Sequence, residues 1–257
     1  MANLKEIRIR IGSIESTKQI TSAMKLVAAS KLRKAQDKIE NMRPYANKLQ
    51  EILEDMSQGS EVAKENAFMQ EREVKRALVI VLTSNRGLCG GFNANAIKAG
   101  TALLNNEYAP LVKTNNVDII TIGKKATDHF NRKTTRHIAS YDDLWDDITW
   151  ENIAKLGQKI LDEYSEGTYD EVKLVFNHFK NAVTQVTLTE QFLPVSAEHE
   201  SESTKQNDYI MEPSKDVIVN ELIPKSLKTQ LFKAMLDSFA GEHGARMSAM
   251  HQATDNA

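Results

Sequence analysis

Apolar side chains recur in alternating steps of three and four from the start of the chain: Leu4, Ile7, Ile11, Ile14, then Ala28, Leu32, Ala35, Ile39, Met42, Ala46, Leu49, Leu53 and Met56. That spacing is the seam of a coiled coil and predicts one helix over residues 1–60. Lys18, Thr21 and Lys25 interrupt the seam, and over the same stretch the apolar stripe moves sideways to Ile20, Met24 and Val27. Two readings are open for this shift: a local stutter in the coil, or a stretch gripped by a different partner. Pro44 lies inside the pattern, where a missing backbone donor is expected to bend the helix. At ~1.5 Å per residue such a helix reaches about 84 Å. A compact chain of this length has a radius of gyration of only about 18 Å. The helix must protrude, and its seam needs a second helix.

The far end of the sequence supplies one. Pro224, Leu227, Leu231, Ala234, Met235, Phe239, Met247, Met250 and Ala253 keep a helical period, with Pro224 suited to a first turn. Gly241 and Gly244 weaken this helix by about 1 kcal/mol each relative to Ala, and let another backbone come close. Residues 214–257 are expected to pair antiparallel with the first helix. The pattern reaches Asp255-Asn256-Ala257 without a stop signal, which points to a tail beyond it. Between the helices, residues 74–195 change rhythm. Ala77–Leu82, Val117–Ile122 and Val172–Phe176 are short Val- and Ile-rich runs, separated by helical stretches at 93–104 and 152–164. That alternation predicts a Rossmann-like α/β domain, with 183–193 as an antiparallel or edge strand. The polar segment 196–213 reads as a loop. The fold class is thus α/β with a long antiparallel coiled coil built from the two chain ends.

Charge sharpens the division. Residues 1–48 hold eleven Lys and Arg against four Asp and Glu, a surplus of seven, whereas the whole chain is −2. One end is a cationic rod and the remainder is acidic. The 11 Gly and 5 Pro in 257 residues are few, consistent with long elements joined by few loops. No apolar run approaches the ~18 residues of a membrane span, and no secretory signal opens the chain. These features predict a soluble, unexported protein, and the single cysteine fits a reducing compartment.

Candidate chemistry is sparse. The cluster Arg86-Gly87-Leu88-Cys89-Gly90-Gly91 follows a strand and precedes a helix, where α/β folds place phosphates. It lacks the G-x-G-x-x-G spacing, and Gly123-Lys124-Lys125 lacks the hydroxyl that would hold magnesium. A tight turn at a packed or contacted sheet edge accounts for it better than a nucleotide site. Cys89 has no nearby His to activate it and reads as a small buried residue. The six His show no metal spacing, and the carboxylates of 142–147 read as a solvated loop or helix cap. The basic helix suits nucleic acid or an acidic protein surface equally well; composition does not choose between them.

Three stretches choose. Ile7-Arg8-Ile9-Arg10-Ile11-Gly12-Ser13-Ile14 with Thr17 through Leu32, then Thr83 through Asn93, then Glu242-His243-Gly244-Ala245-Arg246-Met247-Ser248-Ala249-Met250 leading to Ala253–Ala257, closely resemble the γ subunits of F-type ATP synthases. They occur in family order and span the chain. The resemblance implies a central-stalk rotor that couples proton-driven rotation of the membrane c-ring to conformational change at catalytic β subunits. It implies no catalytic site, cofactor or metal of the chain's own. The implied partners are three α and three β subunits, the ε subunit and the c-ring, with no nucleic acid, at the cytoplasmic face of the bacterial inner membrane. Contact with the α/β ring would fall to Ile14, Thr17, Lys18, Ile20, Thr21, Met24, Lys25, Val27, Ala28, Lys31 and Leu32, with Arg246, Met247 and Met250. Arg86, Gly87, Leu88, Cys89, Gly90 and Gly91 would belong to the rotor base, on the ε and c-ring side. In this light the sideways stripe is where the helix faces the ring. Two departures stand out: Asn85 replaces a usual Asp, and the family's last helix continues beyond Ala257. The plastid form's regulatory cysteine pair is also absent. Two rival classes, a nucleotide-binding α/β enzyme and a basic coiled-coil adaptor for nucleic acid, leave all three stretches unexplained.

Overall fold

A computed structural model describes residues 4–57, 66–132, 136–195, 212 and 214–257. Helix α1 runs unbroken over Leu4–Ser57 and helix α6 over Lys215–Asp255. They lie antiparallel: Thr21 Oγ1 meets Thr254 Oγ1 at 2.7 Å and Lys25 Nζ approaches His251 Nδ1 at 3.4 Å. At the other end of the pair the Lys225 ammonium sits 5.7 Å from the centre of the Tyr45 ring. The predicted seam closes this pair, with Ala28, Leu32, Ala35, Ile39 and Leu49 all buried. Nothing is described of the side chains of Leu53 and Met56, the last two predicted seam positions.

One expectation about proline is corrected. Pro224 does not open the last helix. That helix starts nine residues earlier than Pro224, after Ser214, whose hydroxyl accepts from Val217 N, a normal N-cap. Pro44 lies within α1, which continues through it. Packing of a long apolar seam outweighs the one backbone bond each proline forfeits. The predicted loop 196–213 falls almost wholly outside the described residues.

The central sheet has five strands in the order β3-β2-β1-β4-β5: β1 Ala77–Leu82, β2 Val117–Ile122, β3 Arg136–Ser140, β4 Glu171–Phe179 and β5 Gln185–Leu193. The first four are parallel, and β5 is an antiparallel edge strand. β1 and β2 are buried along their whole length, which is why they read as continuous apolar runs. Leu78, Ile80 and Leu82 face the coil and the helix α5, Trp150–Ser165. Ala77, Val79 and Val81 face the helices α2, Phe92–Asn105, and α4, Lys124–Phe130. A short helix α3, Ala109–Lys113, links α2 to β2. The charge inside β2 is neutralised: buried Asp118 takes Arg76 at 2.8 Å, Arg136 at 3.1 Å and the Tyr169 hydroxyl at 2.9 Å. These partners tie down the amino ends of the strands.

The sheet is bonded to the coil through α6. Ser238 Oγ accepts from Asn177 N at 3.1 Å, and His178 pairs with Asp237 at 2.7 Å. Gly244 lets the β4–β5 turn press on the helix: a Cβ there would lie 3.0 Å from the Ala182 carbonyl oxygen. Along α6, residues 238, 241 and 244 meet residues progressively nearer the carboxyl end of β4. The parallel strands and α6 therefore point the same way.

Candidate functional site

Beyond the sheet the paired helices continue alone, and this stretch carries most of the predicted contact residues. Seen from the residues up, α1 divides into two faces. Thr21, Ala28 and Leu32 turn inward against α6 and are nearly covered. Ile20, Val27 and Lys31 turn outward; Ile14, Thr17 and Lys18 precede the Thr21–Thr254 contact and are exposed, while Met24 and Lys25 are half-buried. Ile20 is 60% exposed and Val27 58%, and Leu26, which the periodic pattern does not single out, is 68% exposed. The lateral shift of the stripe is thus a second apolar face. Thr21 remains a seam residue, its hydroxyl satisfied by Thr254 and by Lys18 O. A polar pair at a seam position costs stability and fixes register.

On the last helix, Met247 is half-buried, whereas Arg246 and Met250 are buried. Five predicted contact residues, Thr21, Ala28, Leu32, Arg246 and Met250, thus have little surface left for another subunit. For Thr21, Ala28 and Leu32 the reason is that heptad positions mark where a helix meets its own partner, whereas Arg246 is covered by the turn at 86–87.

The glycine cluster lies at the carboxyl end of β1. Arg86, Gly87, Leu88, Gly90 and Gly91 are exposed and Cys89 is buried. Leu88 has φ +61° and Gly90 φ +57°. The left-handed region is ordinary for glycine and costly for leucine. Inside the turn, Ser84 Oγ donates to Arg86 O at 2.6 Å and Asn93 Nδ2 donates to Cys89 Sγ at 3.2 Å. Burial raises the Cys89 thiol pKa above its ordinary value, the reverse of what a nucleophile needs. Asn85 ties the turn to its neighbours: its Nδ2 donates to Asp142 O and Asp146 Oδ2, each at 3.0 Å, and its Oδ1 accepts from Lys124 N at 2.9 Å. The acidic run is therefore a buttress to this turn, with Trp145 buried beneath it.

The turn's most unusual neighbour comes from α6. Arg246 donates to the carbonyl oxygens of Gly87 at 3.1 Å and Arg86 at 3.4 Å. A phosphate cradle needs N–H groups turned inward; here two carbonyls are, and a guanidinium holds them. Arg246 also pairs with Glu242 at 2.5 Å, and Glu242 Oε2 accepts from Trp145 Nε1 at 2.6 Å. His243 Nδ1 receives a bond from Arg246 Nη1 at 3.2 Å. Burial, reinforced by Arg246 and Lys31, pushes the His243 pKa down to about 3. Sequence reasoning missed this cluster; its only trace was the Glu-x-x-x-Arg spacing that sets 242 and 246 one helical turn apart.

Since Arg246 lies further along α6 than Gly244, the turn sits at the end of the domain from which the paired helices project. The resemblance had assigned it to the rotor base. In the structure it lies beside the stretch of coil that continues past the sheet.

Comparison with known proteins agrees along the whole chain. A family model described as ATP synthase matches residues 3–257. The ATP synthase gamma chain of Christiangramia forsetii is 50% identical over 257 residues, covering 100% of this chain and 88% of that relative. That of Flavobacterium psychrophilum is 51% identical with the same coverage. Among solved structures, a chain of the Tetrahymena thermophila mitochondrial ATP synthase central stalk and c-ring aligns with a TM-score of 0.68 and 26% identity, over 91% of this chain and 99% of that one. A rotor chain of the Euglena gracilis mitochondrial ATP synthase, at 18% identity and a TM-score of 0.59, shares the fold over 99% of this chain and 92% of its own. No described helix is long and apolar enough to cross a membrane. A coil of both chain ends on a five-stranded domain, matched end to end by these relatives, places the chain in the ATP synthase gamma chain family, the central-stalk subunits of that machine.

Proposed function

We propose that the projecting coil is the shaft that turns within a ring of three α and three β subunits, and that the chain has no catalytic site of its own. The observation that carries this is the outward face of α1: Ile20, Leu26 and Val27 stand in water beside exposed Lys18 and Lys31. An apolar stripe flanked by cations suits a sequence of acidic, partly apolar surfaces, each bound in turn. Weakly directional contact is what a rotor requires. A shaft changes a catalytic site only by binding its conformations unequally, and grip on one subunit must not trap it. The face is one-sided, because α6 covers the other, so the three β subunits meet different surfaces at any angle. The 86–91 turn, set where the coil emerges, belongs on this reading to the ring-facing collar. The ε subunit and c-ring would take the opposite end of the domain, at the cytoplasmic face of the bacterial inner membrane.

The test is co-expression with the α and β subunits of the same complex and isolation through a tag on β. One copy per three β, with ATPase activity that depends on it, is expected. A folded chain that stays out of the ring, even when the carboxyl-terminal end of the Christiangramia forsetii relative is grafted on, would overturn the reading.

A further inference from the structure

Two of the sequence stretches that mark the family, 83–93 and 242–250, are far apart in the chain and have separate explanations if read singly. In space they form one device. The Arg246 guanidinium, 8% exposed, reaches across to the carbonyls of Arg86 and Gly87, while its charge is balanced by Glu242, 4% exposed, and Glu242 is held in turn by the Trp145 indole. Arg86 O also accepts from Ser84 Oγ, Asn93 Nδ2 and Cys89 Sγ, but the bond to Gly87 O is made by Arg246. The next residue is Leu88, 64% exposed and held at φ +61°. An apolar side chain pushed into water on a left-handed backbone costs energy twice over, and such strain persists only where surroundings impose it. Ser84 and Asn93 brace the turn from within, and the clamp braces it from the coil.

We propose that the buried Glu242–Arg246 pair is a positioning device that sets the 86–91 turn, and Leu88 at its apex, in the one conformation that touches the α/β ring beside the emerging shaft. The contact part rests on the shaft reading above; the clamp part does not. A buried guanidinium bonded to backbone carbonyls fixes a turn without adding bulk to its surface, so the turn stays stiff while its outer face stays free. It also ties the turn to the coil itself, so the knob and the shaft face keep a constant angle as they rotate.

Cys89 reports on this directly. It is the chain's single cysteine, it lies within the turn, and it is 2% exposed. Its labelling by a maleimide requires the turn to open. The full chain carrying Arg246→Gln, and the double variant Glu242→Gln with Arg246→Gln, should label at least ~10-fold faster than the parent, the scale set by losing charge-assisted bonds, while the urea curve of the double variant stays cooperative and shows it folded under the labelling conditions. The double variant removes both charges and so avoids stranding a carboxylate. Electrostatics alone predicts the opposite sign: Arg246 lowers the Cys89 pKa, so its loss would leave less thiolate and slower labelling. In the assembled complex in vesicles, the same variants should hydrolyse ATP while pumping fewer protons per ATP. Unchanged labelling would overturn the clamp. Faster labelling with full coupling would overturn the turn's role at the ring. If the unaltered chain does not enter the complex, the shaft reading fails and the contact part with it, while the labelling rates still decide the clamp.

Discussion

At single residues the fold depends on groups whose neighbours leave no substitute. Asn85 is the clearest case. Its amide donates to the Asp146 carboxylate at 3.0 Å, which a carboxylate at that position would repel. Asn85→Asp should therefore destabilise the chain by about 1–3 kcal/mol at pH 7, and most of the loss should return at a pH low enough to protonate one of the pair; urea titrations at the two pH values check this. Gly123 has φ +103°, and a Cβ there would stand 1.9 Å from the Thr83 carbonyl oxygen. Gly123→Ala should cost more than ~3 kcal/mol, read from the urea midpoint. His243 sets a pH limit. Its folded pKa is about 3 against an ordinary 6.5, so below about pH 6.5 the unfolded chain takes up a proton that the folded chain refuses. Stability should fall as pH drops from there toward 3, and His243→Gln should flatten that limb of the curve.

At the scale of elements, the seam and the outer stripe of α1 should answer mutation in opposite ways. Leu32 is 6% exposed and Leu26 68%. Leu32→Ala should cost about 2–4 kcal/mol of chain stability, and Leu26→Ala within ~0.5 kcal/mol. Thermal melts of the two variants give the comparison. The elements also show what a sequence reveals. The seam was legible because a period of 3.5 is a repeated signal, and β1, β2 and β4 because strands buried on both faces lose their alternation. β3 was not: its residues Arg136–Ser140 are short and alternate between exposed and half-covered, so they carry neither mark. The last helix was read as 214–257 and runs over Lys215–Asp255; Pro224, which imitates a first helical turn, lies inside it. The outer stripe was legible as a displacement of the pattern, but which residues it exposes was not. That depends on where α6 lies, so Leu26 was passed over and Thr21, Ala28 and Leu32 were counted as free. The clamp was invisible for a related reason: it joins residues 160 positions apart, and no local pattern encodes such a contact.

The whole molecule separates two jobs between two ends of one domain. The amino ends of the strands are sewn up by Asp118, Arg76 and Arg136, and the carboxyl ends carry the collar and the coil. The outward cations of the coil should matter only in the assembly. Lys18→Glu and Lys31→Glu combined should leave the melt of the free chain almost unchanged, because exposed charges contribute little. The same variant should weaken capture by the α/β ring more than ~10-fold at low salt, less at high salt; binding measured at two ionic strengths decides it. One feature of the coil also governs how the chain comes to exist. Its two halves are the first and last segments of the sequence, Leu4–Ser57 and Lys215–Asp255. On a ribosome adding ~5–20 residues per second, the seam of α1 is finished and then waits on the order of 10–40 seconds for its other half. Throughout that time it is an apolar stripe of some fifty residues with nothing to cover it. The surplus of positive charge along the same segment makes nascent copies repel one another, so the charge that distinguishes this end of the chain also keeps unfinished coils apart.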